Sequence, residues 1–398
     1  MIDPYTVSVL LFFALLGIII YRDRKNIDFK YILLMRRTKR FSKILDTIAK
    51  KSVTFWKVTG TIAFVLCFLV MIYGTYTMIN IAYLIQTGVI DQPALSFALP
   101  VPSDQMIVSP GFIGIPFWIW IIVITIILIP HEAFHGIIAR AEKIKLKDVG
   151  LMLLAIFPGA FVEPDEKQLK KSKLMTKLRI FSAGSFINIV IGMLVIVLVQ
   201  SLLWSPNVGG ILITNVNETS PAYDIGLEEG MVIESIDGKE LTMNFDEYSF
   251  LILMVSGSNS GDITQYISQL ILFRELSAYS PGDTVSLRIS GNDYDLTLAE
   301  HPEIEVEGGF PYIGVNSKFN VADVNMFFVL FPLLGLIATL SMLVGAFNIL
   351  PIYPLDGGLI VQSLAERFAK KISKQIVIGV TAVMVVIIIF SFVGPLFL

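Results

Sequence analysis

The chain has 398 residues, of which 55% are hydrophobic and 16% are charged. Soluble proteins carry about 25% charged residues, so this composition excludes an ordinary soluble enzyme and predicts a protein embedded in a membrane. The net charge of −3 says little, because acidic and basic residues occupy different parts of the chain. The single cysteine, Cys67, excludes an intramolecular disulfide and a cysteine-rich metal site, and packing is its expected role.

Residues 1–85 predict a pair of transmembrane helices joined by a basic cytoplasmic loop. The first apolar run, 5–20, precedes its arginines and lysine, which is the reverse of the order in a cleaved signal peptide. Residues 22–57 contain twelve Lys and Arg against three Asp. That excess indicates a cytoplasmic segment that also contacts anionic lipid headgroups, and it requires no nucleic-acid partner. The second span covers 58–85.

Residues 86–114 contain no Lys or Arg and several prolines, and they predict an extracytoplasmic loop. Residues 115–204 then predict the first half of a membrane core, with spans over 115–138 and 180–204. The apolar stretch 149–162 between them is too short to cross a bilayer as a helix, so it predicts a re-entrant or interfacial element. An extended edge there could pair with a substrate strand, but a buried amphipathic connector is an equally open alternative.

The third span ends in the sequence His131-Glu132-Ala133-Phe134-His135. Two histidines at positions i and i+4 lie on one face of a helix and suit a single zinc ion, and the intervening glutamate is then placed to take a proton from water. A chance match and a metal-free pair of interfacial histidines are the alternatives. The chain has only three histidines, and an ionisable cluster at membrane depth usually marks function. Both facts favour a metal site.

Residues 205–324 differ in composition from the apolar segments on either side. They hold nineteen acidic and four basic residues, and apolar positions alternate with polar ones. They predict a water-soluble domain with strands over 211–213 and 285–289 and a strand that enters a hairpin turn over 233–239. The sequence resembles a prokaryotic PDZ domain here, an α+β fold, with an insertion over 244–278. The resemblance is carried by Ser220-Pro221-Ala222, by Ile236-Asp237-Gly238, by Pro281-Gly282-Asp283 and by Tyr312-Ile313-Gly314-Val315. Its acidic surface predicts an extracytoplasmic location.

Residues 325–398 predict the second half of the membrane core, with an inward span over 325–350 and an outward span over 376–397. Asp356 is the only carboxylate between Asp323 and Glu366, and the charge distribution places it at the depth of the histidine pair. It is therefore the best candidate for a third zinc ligand, since catalytic zinc wants three protein ligands and one open position. A helix-end residue facing lipid headgroups is the alternative. His301, in the soluble domain, is the weaker candidate.

These motifs together resemble the site-2 protease family of intramembrane zinc metalloproteases. The family pattern is a His-Glu-x-x-His helix, a PDZ-like insert, and a later helix ending in Asn348-x-x-Pro-x-x-Pro-Leu-Asp356-Gly-Gly. The resemblance covers residues 115 to the end. It implies that His131, His135 and Asp356 bind zinc and that Glu132 is the general base. It also implies that Asn348 and Asn188 contact the substrate. Ser185 stands where the family often has proline, in Gly184-Ser185-Phe186-Ile187-Asn188.

The expected fold is therefore a polytopic α-helical membrane protein with about six transmembrane helices and an inserted soluble PDZ-like α+β domain. The expected activity is zinc-dependent cleavage of transmembrane segments of membrane proteins, with the active site near the cytoplasmic face. A catalytically inactive membrane PDZ scaffold is the main alternative. A metal or proton transporter is less favoured, because transporters usually contain internal repeats and none is visible in this sequence.

Overall fold

A computed structural model of the chain describes residues 3–31, 33–154, 157–203, 208–243, 263–302, 304, 309–321 and 330–397. The chain divides into two compact units, one made of Met1–Val195 with Leu336–Leu398 and the other of Ile196–Gly335. The predicted soluble insert, 205–324, falls within the second unit, which also includes 196–204 and 325–335.

The elements follow one another along the chain as helices interrupted by short strands. The first unit begins with α1 (Pro4–Asp23), β1 (Ile27–Lys30), β2 (Leu33–Arg37), α2 (Lys39–Lys51), α3 (Val53–Gln86), β3 (Phe97–Val101), β4 (Ile107–Ser109), β5 (Phe112–Pro116), α4 (Phe117–Ala141), β6 (Leu146–Leu154), β7 (Phe157–Pro164), α5 (Glu166–Lys171) and α6 (Leu174–Leu203). Then come β8 (Val208–Val216), α7 (Pro221–Asp224), β9 (Val232–Ile236), β10 (Lys239–Glu240), α8 (Ile263–Leu276), β11 (Thr284–Ile289), β12 (Asn292–Thr297), β13 (Ala299–Glu300), β14 (Pro311–Tyr312) and β15 (Val315–Val321). The chain ends with α9 (Phe331–Asn348), α10 (Asp356–Phe368) and α11 (Ser373–Val393).

The prediction of a polytopic helical membrane protein is confirmed. Within the described ranges, five helical stretches are long and apolar enough to cross a bilayer, namely Pro4–Asn26, Val53–Gln86, Phe117–Ala141, Leu174–Ser201 and Lys370–Val393. The remaining predicted span, 325–350, contains the shorter apolar helix Leu333–Asn348, and its first five residues lie outside the described ranges. Cys67 is buried in the core of the first unit, as its predicted packing role requires.

The apolar stretch 149–162 lies within a β-hairpin formed by β6 and β7. It belongs to an antiparallel sheet of order β1-β2-β6-β7, so β7 lies at one edge. The basic segment 22–57, which is predicted to join the first two spans, contains β1, β2 and α2. Strand β2 pairs with β6 from Leu33 opposite Leu154 to Arg37 opposite Gly150. The N-terminal segment therefore covers the edge of β6 that β7 leaves open.

Helix α2 buries the apolar side of its amphipathic sequence, with Leu45 and Ala49 packed against Ile137 and Ala141 of α4. Its basic side chains occupy the remaining face. Gly136 allows this contact, because a Cβ atom there would meet the side chains of Leu45 and Val162. The predicted extracytoplasmic loop 86–114 contains β3 and β4, which both pair with β5.

The second unit contains the sheet-rich region that its sequence predicts. Its main sheet has the order β12-β11-β9-β8-β15, with β10 paired to β9. The strands predicted over 211–213 and 285–289 are present, and the predicted strand and hairpin turn over 233–239 correspond to β9, the turn and the start of β10. The turn between β9 and β10 uses positive φ angles at Asp237 and Gly238. Of the predicted insertion, 244–262 lies outside the described residues, and the remainder, 263–278, contains the whole of α8.

Candidate metal centre

Helix α4 carries the two histidines of the motif one turn apart on a single face. The imidazole rings of His131 and His135 lie with their centroids 4.9 Å apart, and their Nε2 atoms are 3.2 Å apart. Both side chains are almost fully buried, at 8% and 12% exposed. The i, i+4 spacing that the sequence contains thus directs two nitrogen lone pairs into one small volume.

Asp356 is the first residue of α10 and brings its carboxylate to the same place. Its Oδ1 lies 3.3 Å from Nε2 of His135, and its Oδ2 lies 3.5 Å from Nε2 of His131. The two glycines that follow have no room for a side chain, because a Cβ on Gly357 or Gly358 would collide with the backbone of 349–353. They allow α10 to begin directly against the turn that follows α9, and this fixes the position of the carboxylate.

The three side chains fit a tetrahedral zinc ion. Zinc bonds to nitrogen and oxygen of ~2.0–2.1 Å, arranged tetrahedrally, place ligand atoms about 3.3–3.4 Å apart. The two Nε2 atoms are 3.2 Å apart, and the carboxylate of Asp356 reaches them through different oxygens, Oδ1 at 3.3 Å from His135 and Oδ2 at 3.5 Å from His131. Across the described part of the chain, these three residues are the one group of His, Cys, Asp or Glu side chains close enough to share an ion. Two imidazoles and one carboxylate also leave a fourth position open, as in catalytic zinc sites.

Helix α6 contributes a hydrogen bond to each of the three side chains. Nδ1 of His135 donates to the backbone carbonyl of Ile180 at 2.6 Å, so in the neutral ring the lone pair is on Nε2, the atom that faces His131 and Asp356. Ser185 Oγ donates to Asp356 Oδ2 at 2.9 Å. The side-chain amide of Asn188 lies 3.1 Å from Nδ1 of His131. Ser185 and Asn188 are both fully buried.

A glycine in α6 makes this arrangement possible. A Cβ on Gly184 would run into the Nε2 atoms of both histidines. The backbone of α6 therefore lies directly against the metal-binding atoms, at a distance that only glycine permits. Gly184 and Asn188 belong to the family pattern, whereas no role is predicted for Ser185. Its one signal was its position three residues before Asn188, on the same face of a helix.

The motif glutamate is held by the edge strand of the sheet. The backbone N–H of Val162, in β7, donates to Glu132 Oε2 at 3.1 Å. The carboxylate also interacts electrostatically with His135 and Asp356. Glu132 is partly buried, and its contact with Val162 places the general-base candidate next to β7.

Asn348, the other predicted substrate contact, is the last residue of α9. Its Nδ2 donates to the carbonyl of Val344 in its own helix at 3.0 Å, so the amide is not hydrogen-bonded to the ligand cluster. The helix itself packs close to the site, since a Cβ on Gly345 would lie 2.8 Å from the carbonyl oxygen of Ser185. Its substrate role stays a prediction.

The surrounding polar contacts tie α4 to its neighbours near the end of the helix. Glu142 accepts hydrogen bonds from Arg179 at 2.6 Å and from Thr176 at 2.9 Å, which joins α4 to α6. Arg140 pairs with Asp46 of α2. On the hairpin, a hydrogen bond to Glu163 raises the pKa of Lys147. The contacts of Glu142 and Arg140 hold the end of α4 against α6 and α2, and the Lys147–Glu163 pair joins β6 to β7.

The model of peptidase family M50 matches residues 119–391, a stretch that contains the histidine pair, Glu132, Asp356 and both asparagines. The chain belongs to peptidase family M50. Among curated relatives, this M50 chain is 26% identical over 247 residues to an uncharacterized protein, MJ0971, of Methanocaldococcus jannaschii, covering 61% of this chain and 63% of that one. It is also 30% identical over 125 residues to the membrane-bound transcription factor site-2 protease homolog of Arabidopsis thaliana, covering 30% of this chain and 24% of that one.

This member of family M50 thus spans less than two thirds of the length of the curated relatives it matches. Among solved structures, it is similar to the PDZ domain of the SdrC-like protein of Listeria monocytogenes. The identity is 18% and the TM-score 0.19, and the match covers 27% of this chain and 87% of that one.

Proposed function

We propose that this chain is an intramembrane zinc metalloprotease that cleaves peptide bonds within the transmembrane segments of membrane proteins. The observation that carries the proposal is the convergence of His131, His135 and Asp356, each of which offers one ligand atom within 4.8 Å of the other two. A carboxylate, Glu132, lies on the same turn of α4 as the histidines. Membership of a peptidase family and the apolar spanning helices support the same conclusion.

Each residue of the site has a defined part in hydrolysis. Lewis acidity is what a bound zinc ion supplies, since it polarises a carbonyl oxygen and lowers the pKa of water towards ~7. Glu132 takes up the proton of the attacking water and later delivers it to the nitrogen of the leaving amine. Asn348 supplies an amide donor for the oxyanion that develops on the scissile carbonyl, once its hydrogen bond to Val344 is exchanged.

The substrate must be unwound before it can react, because the peptide bonds of a transmembrane helix are shielded by their own hydrogen bonds. Strand β7 offers the unwound segment a partner. It lies at the edge of its sheet, and its Val162 N–H already contacts Glu132. We expect the substrate to extend along β7 by strand addition, which would bring the scissile bond past the general base.

The insert offers a second binding surface, for peptide outside the membrane. Helix α8 and edge strand β15 flank a groove of about 1130 Å³, whose lining includes Tyr266, Leu270, Phe273 and Tyr312. An exposed sheet edge beside an apolar helix face suits an extended peptide. The acidic composition of the insert and the basic composition of 22–57 support an extracytoplasmic insert and an active site near the cytoplasmic face.

The test is proteolysis by the full chain in lipid nanodiscs, with zinc present, of a membrane-protein segment that contains helix-weakening residues. We expect Glu132→Gln to reduce the cleavage rate by about 10²–10⁴-fold, because proton transfer loses its acceptor while the zinc ligands stay in place. Metal content is measured in parallel and should not change.

Glu166→Gln is the matched control, since Glu166 forms an exposed ion pair with Lys170 in α5 and lies outside the ligand cluster. It should cleave at the unsubstituted rate. Cleavage by Glu132→Gln at that same rate would contradict the mechanism. A chain that binds membrane peptides but cleaves none, even with zinc bound, would favour the inactive PDZ scaffold instead.

A further inference from the structure

The side-chain amide of Asn188 is buried beside a metal-ligand candidate with one of its atoms unpaired. Its Nδ2 lies 3.1 Å from Nδ1 of His131. Its Oδ1 is buried and finds no hydrogen-bond partner among the described residues. Buried amide oxygens are normally hydrogen-bonded, so this one calls for an explanation.

Exchange of the two amide atoms leaves that buried position without a partner, now occupied by the amide nitrogen, but it decides which atom faces His131. The oxygen and nitrogen of an asparagine amide are nearly the same size, so their assignment follows from the hydrogen bonds they make. With Oδ1 towards His131, the oxygen accepts from Nδ1–H. That proton position leaves the lone pair of His131 Nε2 directed at His135 Nε2 and the carboxylate of Asp356, which lie 3.2 and 3.5 Å away.

Helix α6 also forms a hydrogen bond with each of the other two ligand candidates. His135 donates its Nδ1–H to the carbonyl of Ile180, and Asp356 accepts from Ser185. Ile180, Gly184, Ser185 and Asn188 lie on one face of α6 by their spacing. Gly184, which has no side chain, stands between the polar partners and lets them reach the ligands.

We infer that Asn188 and Ser185 are positioning residues of the metal centre rather than contacts for the substrate. Asn188 holds His131 in the tautomer that presents Nε2, and Ser185 holds the carboxylate of Asp356. Outer hydrogen bonds of this kind orient metal ligands, and their loss typically costs about 10–100-fold in metal affinity. The inference rests on the proposed function, because it assumes that the cluster binds zinc.

The experiment measures the affinity of the full chain in detergent for zinc alone, by competition with a chromophoric chelator. We expect Asn188→Leu and Ser185→Ala each to weaken binding by about 10–100-fold. Asn188→Asp should retain the unsubstituted affinity, because a carboxylate accepts the Nδ1–H of His131 as an amide oxygen does. A substrate contact that works through the amide N–H groups would instead be lost in Asn188→Asp, with no change in zinc affinity.

Two control substitutions remove the same chemical groups elsewhere in the chain, a buried serine hydroxyl and an asparagine amide. Ser391→Ala removes a buried hydroxyl that donates only within its own helix, to Ile387. Asn348→Leu removes an amide that bonds to Val344 in its own helix. Both should bind zinc as the unsubstituted chain does, whatever their effect on proteolysis.

The outcomes separate the inference from the function it rests on. If the unsubstituted chain binds zinc and Asn188→Leu binds it equally well, the positioning role is overturned while the metal site stands. If neither binds zinc, the metal site itself is overturned and the inference with it. Weak binding by Asn188→Leu together with rescue by Asn188→Asp supports both.

Discussion

The ligand cluster and the groove of the insert differ in how far their side chains are buried and in how they are hydrogen-bonded. In the cluster, His131, His135 and Asp356 are at most 12% exposed, and each is hydrogen-bonded to a residue of α6. In the groove, Tyr266 and Phe273 are about half exposed and line a cavity of about 1130 Å³. Burial with defined partners suits a metal centre, whose geometry must be kept within tenths of an ångström. A wide, exposed groove suits peptides of varied sequence.

Under the proposed function, catalysis and peptide binding belong to different units of the chain. The residues that would hold zinc and move the proton all belong to the first unit, and the groove belongs to the second. A substitution in the cluster should therefore remove the reaction, whereas one in the groove should change only which peptides are held and how tightly.

The largest effect is expected at Gly184. A Cβ there would meet Nε2 of both His131 and His135, so Gly184→Ala should displace the atoms that bind zinc. We expect zinc affinity to fall by more than about 100-fold, beyond the usual effect of losing one outer contact, and proteolysis to fall to background. Zinc affinity is measured by chelator competition and cleavage by mass spectrometry of the products.

Gly379→Ala is the control for this substitution, because Gly379 lies in the membrane helix α11 and a Cβ there would meet nothing within 4 Å. It should bind zinc and cleave as the unsubstituted chain does. If Gly184→Ala also retained full zinc affinity, α6 could not lie as close to the histidines as described.

A smaller effect is expected in the groove. Leu270 of α8 lines it and is half-buried. Leu270→Glu places a carboxylate where it must be desolvated when a peptide binds. We expect the KM for membrane-protein substrates with an extracytoplasmic segment to rise about tenfold, or about 1.4 kcal/mol, with kcat unchanged. Steady-state kinetics of the full chain in nanodiscs measure both constants.

Gln265→Glu adds the same charge to α8 outside the groove lining and should leave KM unchanged. A fall in kcat or in zinc affinity for Leu270→Glu would break the division between chemistry and capture. Unchanged KM for every substrate tested would instead remove the proposed role of the insert.

The ligand residues could be predicted from the sequence because each carries a strong local signal. The His-Glu-x-x-His spacing predicts a metal-binding face on α4, and the rarity of carboxylates near the end of the chain singles out Asp356. The spanning helices follow from their apolar length. All of these signals depend on residues close together in the chain or on composition.

Long-range pairing could not be predicted in this way. Strand β2 joins β6 through residues more than a hundred positions apart, and its basic neighbours indicated only the side of the membrane. The sequence around Ser185 gives no sign of its hydrogen bond to Asp356, because that bond depends on the packing of α6 against the start of α10. Asn188 was recognised, but its hydrogen bond to His131 could be seen only once α4 and α6 were packed together.

X-ray absorption at the zinc edge of the full-length, zinc-loaded chain tests the central claim most directly. Coordination by His131, His135 and Asp356 predicts one zinc per chain. It also predicts a coordination shell with two imidazole nitrogens at ~2.0–2.1 Å and no sulfur. Asp356→Ala should weaken zinc binding and remove the carboxylate oxygen from the shell. A spectrum with fewer than two imidazoles, or one that Asp356→Ala leaves unchanged, would contradict the assignment of this cluster as the catalytic metal centre.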